Sequence, residues 1–143
     1  MSLAQSRTGP LFTLPVRVYW EDTDAAGIVY YANYLRFLER GRSEALRLAG
    51  VHHMVMMSGE EPVAWTIRRL EIDYARPAKL DDALEVHTRY RVLAGARLNG
   101  EQWVKRDGQD LITAKIEAAL ITMSGRPRRI PEEVRAKIQQ YLD

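Results

Sequence analysis

The sequence predicts an α+β domain in which an antiparallel sheet of five strands packs on one long helix. Apolar side chains recur at helical spacing after residue 33, which predicts the helix. One strand-like segment precedes this helix, and four segments of alternating apolar and polar residues follow it. One strand, a long helix and then a run of strands is typical of an α+β layer rather than an alternating α/β arrangement.

The composition is that of a single globular domain spanning residues 1–143. The chain is 46% hydrophobic and 28% charged, and no apolar run approaches the roughly 20 residues that cross a bilayer. The first ten residues lack the apolar core of a signal peptide, and the chain has no Cys. We therefore expect a cytoplasmic protein without a membrane span.

Residues 11–20 predict the first strand, which leads into an acidic loop. Pro15 has no N–H to donate, so it indicates a sheet edge or a bulge in the early half of this strand. The loop that follows contains Asp, Thr, Ala and Gly, which interrupt a strand.

The long helix is predicted to begin at Tyr34, with Asn33 as its N-cap and Gly50 just beyond its last turn. Its apolar positions are Tyr34, Phe37, Leu38, Ala45, Leu48 and Ala49. Gly41 falls in the same stripe, where glycine costs about 1 kcal/mol of helix propensity. We expect a close approach of the helix backbone to a strand as compensation.

Four further strands are predicted at about residues 62–76, 84–94, 97–106 and 110–123. In the first of them the alternation changes phase across Arg68 and Arg69, which predicts a bulge. The second is expected to point these residues inward: Leu84, Val86, Tyr90 and Val92.

The end of the chain carries two further local signals. Asp107-Gly108 predicts a type I′ hairpin turn between the last two strands. Pro131 is suited to opening a short helix, with Val134, Ile138 and Tyr141 or Leu142 on one side.

The acidic loop is the candidate for chemistry because it holds three carboxylates, Glu21, Asp22 and Asp24, just before the helix. Free backbone N–H groups at a helix start bind an anion or a developing oxyanion. A carboxylate beside such a site suits acyl transfer. Asp24 lies nearest Gly27, where the backbone can turn toward the helix, but a turn-stabilising or helix-capping role explains an Asp here equally well.

The sequence does not predict a metal site or a nucleic-acid site. Only three His are present; the neighbours His52 and His53 point in different directions, and His87 is expected to pair at the surface of a strand. The net charge of +2 is too small to imply nucleic acid, and no P-loop is present.

Residues 19–42 also resemble a known family. The segments Asp22-Thr23-Asp24, Gly27-Ile28-Val29-Tyr30-Tyr31, Asn33-Tyr34 and 39–42 are in register with the signature of the hotdog-fold acyl-CoA thioesterases. The match is to the 4-hydroxybenzoyl-CoA thioesterase family and its Tol–Pal-associated relatives. The resemblance implies the hotdog fold, a sheet wrapped around one central helix. It also implies hydrolysis of a small acyl- or aroyl-CoA to the free acid and CoA.

The resemblance gives catalytic roles to Asp24 and Tyr31. Asp24 matches the family's catalytic aspartate, which acts as general base or as nucleophile through a mixed anhydride. The backbone N–H of Tyr31 matches the oxyanion donor. Tol–Pal-associated relatives typically carry His where this chain has Tyr31, and residues 28–31 are more similar to the aromatic-acyl branch, whereas residues 19–24 are more similar to the Tol–Pal branch. The sequence therefore does not decide between an aromatic and an aliphatic acyl group in the substrate.

Substrate contacts are expected from the loop, the helix start and one strand residue: Gly27, Val29, Tyr30, Asn33, Tyr34 and Trp65. For the three aromatic residues, a place in the core is the alternative, because aromatics at helical or strand spacing are usually buried.

The CoA phosphates are expected at Arg97, Arg126 and Arg128, which resemble the family's nucleotide-contacting positions. Guanidinium groups pair bidentately with phosphate, although a solvated basic turn is the alternative. CoA is part of the substrate, so no separate cofactor is expected.

The predicted sheet leaves open edges, which pairing between subunits would cover. The resemblance implies a homodimer or a dimer of dimers, a homotetramer, with Asp24 in a cleft partly walled by a neighbouring subunit. The thioester is carried by CoA or by an acyl carrier protein. A non-catalytic module that binds acyl-CoA or acyl carrier protein is the alternative function. A hotdog hydratase would require a His near the acidic residue, and residues 18–51 contain none.

Overall fold

The structure is a computed structural model that describes residues 11–142. Its strands are β1 Phe12–Arg17, β2 Val63–Tyr74, β3 Ala83–Ala94, β4 Arg97–Arg106 and β5 Gln109–Thr122. Its helices are α1 Tyr34–Leu48, α2 His53–Met57 and α3 Glu132–Gln139. The predicted order of the long helix, the five strands and the last helix is confirmed, although α2 was not predicted and the first strand ends at Arg17 rather than residue 20. The segment 1–10, for which no signal peptide is predicted, lies outside the described residues.

The five strands form one antiparallel sheet in the order β1-β3-β4-β5-β2. β1 and β2 are therefore the two edge strands, and β1 contains Pro15 as predicted for an edge. α1 packs against one face of the sheet, in contact with β1, β3 and β4. This is the hotdog arrangement that the resemblance implies.

The close approach of α1 to the sheet depends on Gly41. A Cβ atom at this position would lie 2.6 Å from Val86 Cγ1 and 3.1 Å from Thr88 Oγ1. The expected contact between the helix backbone and a strand is confirmed. Fully buried side chains pack around this contact, among them Phe37 and Leu38.

The two ends of α1 differ in how well they were predicted. At its C-terminus Gly50 has φ +90°, and the Gly50 and Val51 N–H groups donate to Arg47 and Leu46 carbonyls at 3.0 and 2.8 Å. This is a Schellman motif, as expected for a glycine at that position. At the N-terminus Asn33 occupies the cap position with helical φ and ψ, but its side chain makes no capping bond. The predicted capping role is wrong because the Asn33 amide is bound elsewhere.

Bulges in β2 and β3 change which side chains face the core. The register of β2 against β5 shifts between Ile67 and Arg69, which confirms the predicted bulge. A second shift lies between Tyr90 and Val92 on β3. An extra residue moves the following side chains to the opposite face. Val92 is consequently 53% exposed, so its predicted inward position is wrong, and Leu93 packs against the core instead.

The local predictions near the end of the chain are confirmed, whereas Leu48, predicted in the apolar stripe of α1, is 68% exposed. Asp107 and Gly108 both have positive φ, 51° and 77°, as a type I′ turn requires. α3 buries Ile138 at 1% exposure, and Val134 of α3 and Leu142 just after it pack against the same cluster. Within residues 11–142, no helix has the length and apolarity needed to cross a membrane.

Candidate active site

The acidic loop folds back on itself over residues 23–29. Thr23 and Val29 form an isolated antiparallel bridge, and the Asp24 N–H donates to the Ile28 carbonyl at 2.9 Å. At the tip, the Gly27 N–H donates to the Asp24 carbonyl at 3.1 Å, and Gly27 has φ +77°. Glycine adopts this left-handed conformation without steric cost, which explains its place at the tip.

A second loop, residues 77–82 between β2 and β3, lies against the acidic loop. The Val29 N–H donates to the Ala78 carbonyl at 2.9 Å, and the Leu80 N–H donates to the Gly27 carbonyl at 3.3 Å. Backbone hydrogen bonds on both sides therefore hold the position of the acidic loop relative to the sheet.

Asp24 has one engaged and one open carboxylate oxygen. Its Oδ1 accepts a hydrogen bond from the Ala26 N–H at 2.8 Å, which stabilises the turn. Its Oδ2 accepts none from residues 11–142, and the side chain is exposed. Asp24 opens onto a cleft of about 520 Å³ that is also lined by Glu21, Thr23, Tyr30, Ala32, Asn33, Leu35 and Arg36. The turn-stabilising role is therefore present, and it leaves half of the carboxylate available.

Tyr31 begins a 3-10 turn, Tyr31–Asn33, that leads into α1. As the first residue of the turn, it has no acceptor for its N–H inside the turn. The backbone on both sides of this N–H is held by hydrogen bonds. The Tyr30 N–H donates to the Asp22 carbonyl at 2.9 Å, and the Tyr74 hydroxyl donates to the Tyr31 carbonyl at 3.0 Å. Tyr31 is 63% exposed. A backbone donor at a helix start therefore follows the Asp24 turn, as an oxyanion site requires.

The three carboxylates of the loop have different environments. Asp22 is 6% exposed, and both of its oxygens accept hydrogen bonds at 2.8 Å, Oδ1 from the Asn33 amide and Oδ2 from the Tyr19 N–H. Glu21 and Asp24 are both exposed at the cleft. Asp22 is therefore a structural carboxylate, and only the other two are available to a ligand. Sequence reasoning missed this role of Asp22.

The residues predicted to contact substrate divide into two groups. Tyr30 and Asn33 line the Asp24 cleft, and Gly27 is exposed at the loop tip. Val29 and Tyr34 lie in the core at 3% and 2% exposure. Their positions favour the core alternative for Tyr34.

Tyr34 is held in the core by its hydroxyl as well as its ring. The hydroxyl accepts a hydrogen bond from the Ala78 N–H at 2.9 Å, and burial raises the pKa of this phenol. The ring packs edge-on against Phe37 and Tyr74, with centroids 6.1 and 5.7 Å away. Tyr34 thus connects the helix start, the second loop and the end of β2.

Trp65 lines a separate cleft of about 390 Å³ between α1, α2 and β2. Apolar side chains such as Leu46, Met57 and Ile67 share this cleft with the polar residues Arg42, Ser43 and His53. Within a single chain, Trp65 does not line the Asp24 cleft.

The predicted phosphate-binding arginines lie together at one end of the sheet. Arg97 pairs in register with Ala119 on β5, and the Arg128 N–H donates to the Leu120 carbonyl at 2.8 Å. Arg128 forms an ion pair with Glu61, and Arg97 Nη1 lies 3.9 Å from an oxygen of Glu117. Arg126 is exposed in the turn after β5. Arg97, Arg126 and Arg128 therefore form a basic cluster at this end of the sheet, the basic edge. Glu61 and Glu117 partly neutralise its positive charge.

The basic edge and the Asp24 loop are at opposite ends of the sheet. The loop contacts the end of β2 at Tyr74, whereas the arginines lie near its beginning at Val63, which pairs with Thr122. The 12 residues of β2 span roughly 35–40 Å at about 3.3 Å per residue. A single chain does not bring Asp24 and the arginines together.

Histidines do not form a metal site in the described part of the chain. Within residues 11–142, no three His, Asp or Glu side chains are grouped so that they could share a metal ion. His53 Nε2 lies 3.1 Å from Ser43 Oγ, and His87 Nε2 lies 3.1 Å from Glu85 Oε1. His87 is 8% exposed, so its predicted surface position is wrong although its polar pairing is present.

Comparisons with known proteins agree with this architecture. The sequence profile of the thioesterase-like superfamily matches residues 18–138. The acyl-CoA thioesterase YbgC of Haemophilus influenzae is 40% identical over 126 residues, which cover 87% of this chain and 92% of the relative. The acyl-CoA thioester hydrolase YbgC of Escherichia coli O6:H1 is 35% identical over 133 residues, covering 91% and 97%. The crystal structure of a probable thioesterase from Bartonella henselae has a TM-score of 0.82 and 44% identity, and covers 85% of this chain and 99% of that chain.

Proposed function

The chain belongs to the thioesterase-like superfamily, and we propose that it hydrolyses acyl-CoA thioesters with Asp24 and the Tyr31 N–H as its reacting groups. One observation carries the assignment of these residues. Asp24, with its open Oδ2, lines a cleft that is also lined by Tyr30 and Ala32, the two residues on either side of Tyr31, whose N–H has no acceptor inside its turn. The names of the YbgC relatives support the thioester as the bond that is cleaved.

The reaction needs attack on the thioester carbon and stabilisation of its oxygen. As general base, Asp24 accepts a proton from a water molecule, which adds to the carbonyl carbon. The oxygen becomes anionic and is held by the Tyr31 N–H. Collapse of the tetrahedral intermediate breaks the C–S bond, and the proton passes to the departing CoA thiolate.

As nucleophile, Asp24 adds to the same carbon and displaces the CoA thiolate, leaving a mixed anhydride that water then hydrolyses. Both routes use the same two groups and yield the free acid and CoA. The exposed position of Asp24 is compatible with either route, because water and the acyl group can both reach Oδ2.

The active form is proposed to be an oligomer that begins with a homodimer. β2 is an edge strand of 12 residues. Antiparallel pairing of two copies about a two-fold axis places the Tyr74 end of one β2 beside the Val63 end of the other. Asp24 of one subunit would then lie near the Trp65 cleft and the basic edge of its neighbour. This arrangement accounts for the separation of these groups within one chain, and a pair of such dimers would give the homotetramer.

The alternative is a non-catalytic module that binds acyl-CoA or acyl carrier protein. A thiol-release assay across short, branched, long and aromatic acyl-CoAs distinguishes the two. We expect hydrolysis of at least one class, and the preferred class identifies the acyl group. Binding of a non-hydrolysable thioether analogue without release of CoA from any substrate would favour the binding module.

The carrier of the thioester is a separate question. Parallel assays with the same acyl group on CoA and on acyl carrier protein compare the two carriers directly. We expect a higher kcat/KM with CoA, because the basic edge offers guanidinium groups for its phosphates. A cytoplasmic location stays a prediction from the sequence.

A further inference from the structure

We propose that the buried pair Asp22 and Asn33 positions Asp24 and the Tyr31 N–H for the reaction, an inference that rests on the proposed function. Neither residue of the pair is placed to react. Asp22 is 6% exposed and Asn33 is 8% exposed, and their side chains bond to each other at 2.8 Å. Their effect on the reaction would come through the backbone that they hold.

The pair closes the segment that carries both reacting groups. Asp22 lies two residues before Asp24, and Asn33 lies two residues after Tyr31. The bond from the Asn33 amide to Asp22 Oδ1 therefore joins the two ends of this segment. A change in either side chain would alter the distance between the carboxylate and the backbone donor.

The other two oxygens of Asp22, Oδ2 and the backbone carbonyl oxygen, accept hydrogen bonds from residues before and after the acidic loop. Its Oδ2 accepts from the Tyr19 N–H at 2.8 Å, which fixes the turn before the loop. Its carbonyl accepts from the Tyr30 N–H at 2.9 Å, and the Tyr30 carbonyl accepts from the Asn33 N–H at 2.7 Å. These hydrogen bonds fix the peptide plane between Tyr30 and Tyr31 relative to Asp22. The direction of the Tyr31 N–H depends on this plane.

Carboxylate and amide suit this position for a physical reason. A buried carboxylate needs a hydrogen-bond donor at each oxygen, and here one oxygen receives a backbone N–H and the other a side-chain amide. An amide supplies a directional bond without a second charge. Asn33, predicted to contact substrate, lines the cleft, but its donor is already committed to Asp22.

The decisive experiment exchanges the two side chains. Asp22→Asn alone turns an NH2 group toward either the Tyr19 N–H or the Asn33 amide, so one of the two bonds is lost, and we expect kcat to fall at least tenfold while KM for acyl-CoA changes less than about threefold. In the double variant Asp22→Asn with Asn33→Asp, the new amide can donate to the new carboxylate, and its oxygen can still accept the Tyr19 N–H. We expect this exchange to recover most of the lost kcat.

A matched control removes a buried hydrogen bond far from the loop. Thr88 is fully buried, and its Oγ1 accepts from the Gln102 amide at 2.9 Å. Thr88→Val should lower the melting temperature without lowering kcat, which separates positioning from general stability. If Asp22→Asn does not fold, Asn33→Ala removes the donor to Asp22 and is expected to lower kcat in the same way.

The outcomes separate this inference from the proposed function. An unchanged kcat in folded Asp22→Asn or Asn33→Ala would overturn the positioning role and leave the thioesterase intact. An exchange variant that folds but does not regain kcat would also overturn it. A wild-type protein without activity on any acyl-CoA would overturn the proposed function, and the positioning role with it.

Discussion

The backbone of Gly41 in α1 packs directly against the side chain of Val86 in β3, because Gly41 has no Cβ. A Cβ at residue 41 would lie 2.6 Å from Val86 Cγ1, closer than such atoms approach one another. This contact sets the height of α1 above the sheet. The helix start, and with it the Tyr31 turn, depends on that height.

Gly41→Ala should therefore destabilise the protein even though alanine is the better helix former. The steric overlap costs about 1–3 kcal/mol, against a gain in helix propensity of about 1 kcal/mol. We expect a lower free energy of unfolding in urea. Gly59→Ala is the matched control, because its Cβ would meet only the Val55 carbonyl oxygen at 3.9 Å. Equal stability of the two variants would show that α1 is not held at this height by residue 41.

The second loop, residues 77–82, should stabilise the protein less in acid. Asp82 Oδ2 accepts from the Lys79 N–H at 2.8 Å and from Arg106 at 2.7 Å. Partial burial alone raises the pKa of Asp82, but these two donors outweigh it and lower the pKa below its usual value. A lowered folded-state pKa gives stability that is complete above the unfolded pKa of about 3.9 and is lost as the pH falls through the folded pKa.

Asp82→Asn tests this prediction in urea unfolding at a series of pH values. The variant should be less stable than the wild type at pH 7, and the difference should shrink below about pH 4. Asp73→Asn, at an exposed position on β2, is the control and should show no such convergence. A difference that stays constant between pH 7 and pH 3 would exclude the ionised Asp82 as its source.

The basic edge predicts a dependence on the nucleotide part of the substrate. Replacing Arg126 and Arg128 by Ala should raise KM for acyl-CoA by about tenfold, because charge-assisted bonds to phosphate would be lost. KM for a truncated pantetheine thioester should stay nearly unchanged. Glu61→Gln removes the partner of Arg128 and keeps the guanidinium, so it should not raise KM. Equal effects on both substrates would indicate a role in stability or assembly instead.

The composite site predicts complementation between two defective subunits. A mixed dimer of Asp24→Asn and Arg126→Ala/Arg128→Ala chains holds one site with both intact groups. Activity at low acyl-CoA concentration should therefore exceed the sum of the two separate proteins. Sedimentation should show a dimer or larger assembly for the wild type. A fully active monomer would contradict the composite site.

Much of the fold could be predicted because its signals are local. The phase change across Arg68 and the glycine in the buried stripe of α1 are both visible in the sequence, and both features are present. The bulge after Tyr90 gave no such signal, since the alternation of apolar and polar residues continues through Val92 in the sequence.

The site was less predictable because it depends on contacts between distant residues. Asp22 and Asp24 look alike in sequence, and the bond to Asn33, eleven residues later, is what makes Asp22 structural. The distance between Asp24 and the arginines follows from the strand order, which the sequence pattern does not specify. Tyr74 was missed for the same reason, since its bond to the Tyr31 carbonyl spans 43 positions.

The central claim is that Asp24 performs thioester hydrolysis, and Asp24→Asn tests it most directly. Asparagine can still accept the Ala26 N–H through its side-chain oxygen, so the turn should persist while the charge is lost. We predict that kcat falls by a factor on the order of 10² or more, with an unchanged melting temperature. Glu21→Gln removes another carboxylate from the same cleft and should keep most of the activity. Activity of Asp24→Asn within a few-fold of the wild type, in a preparation free of host thioesterase, would contradict the claim.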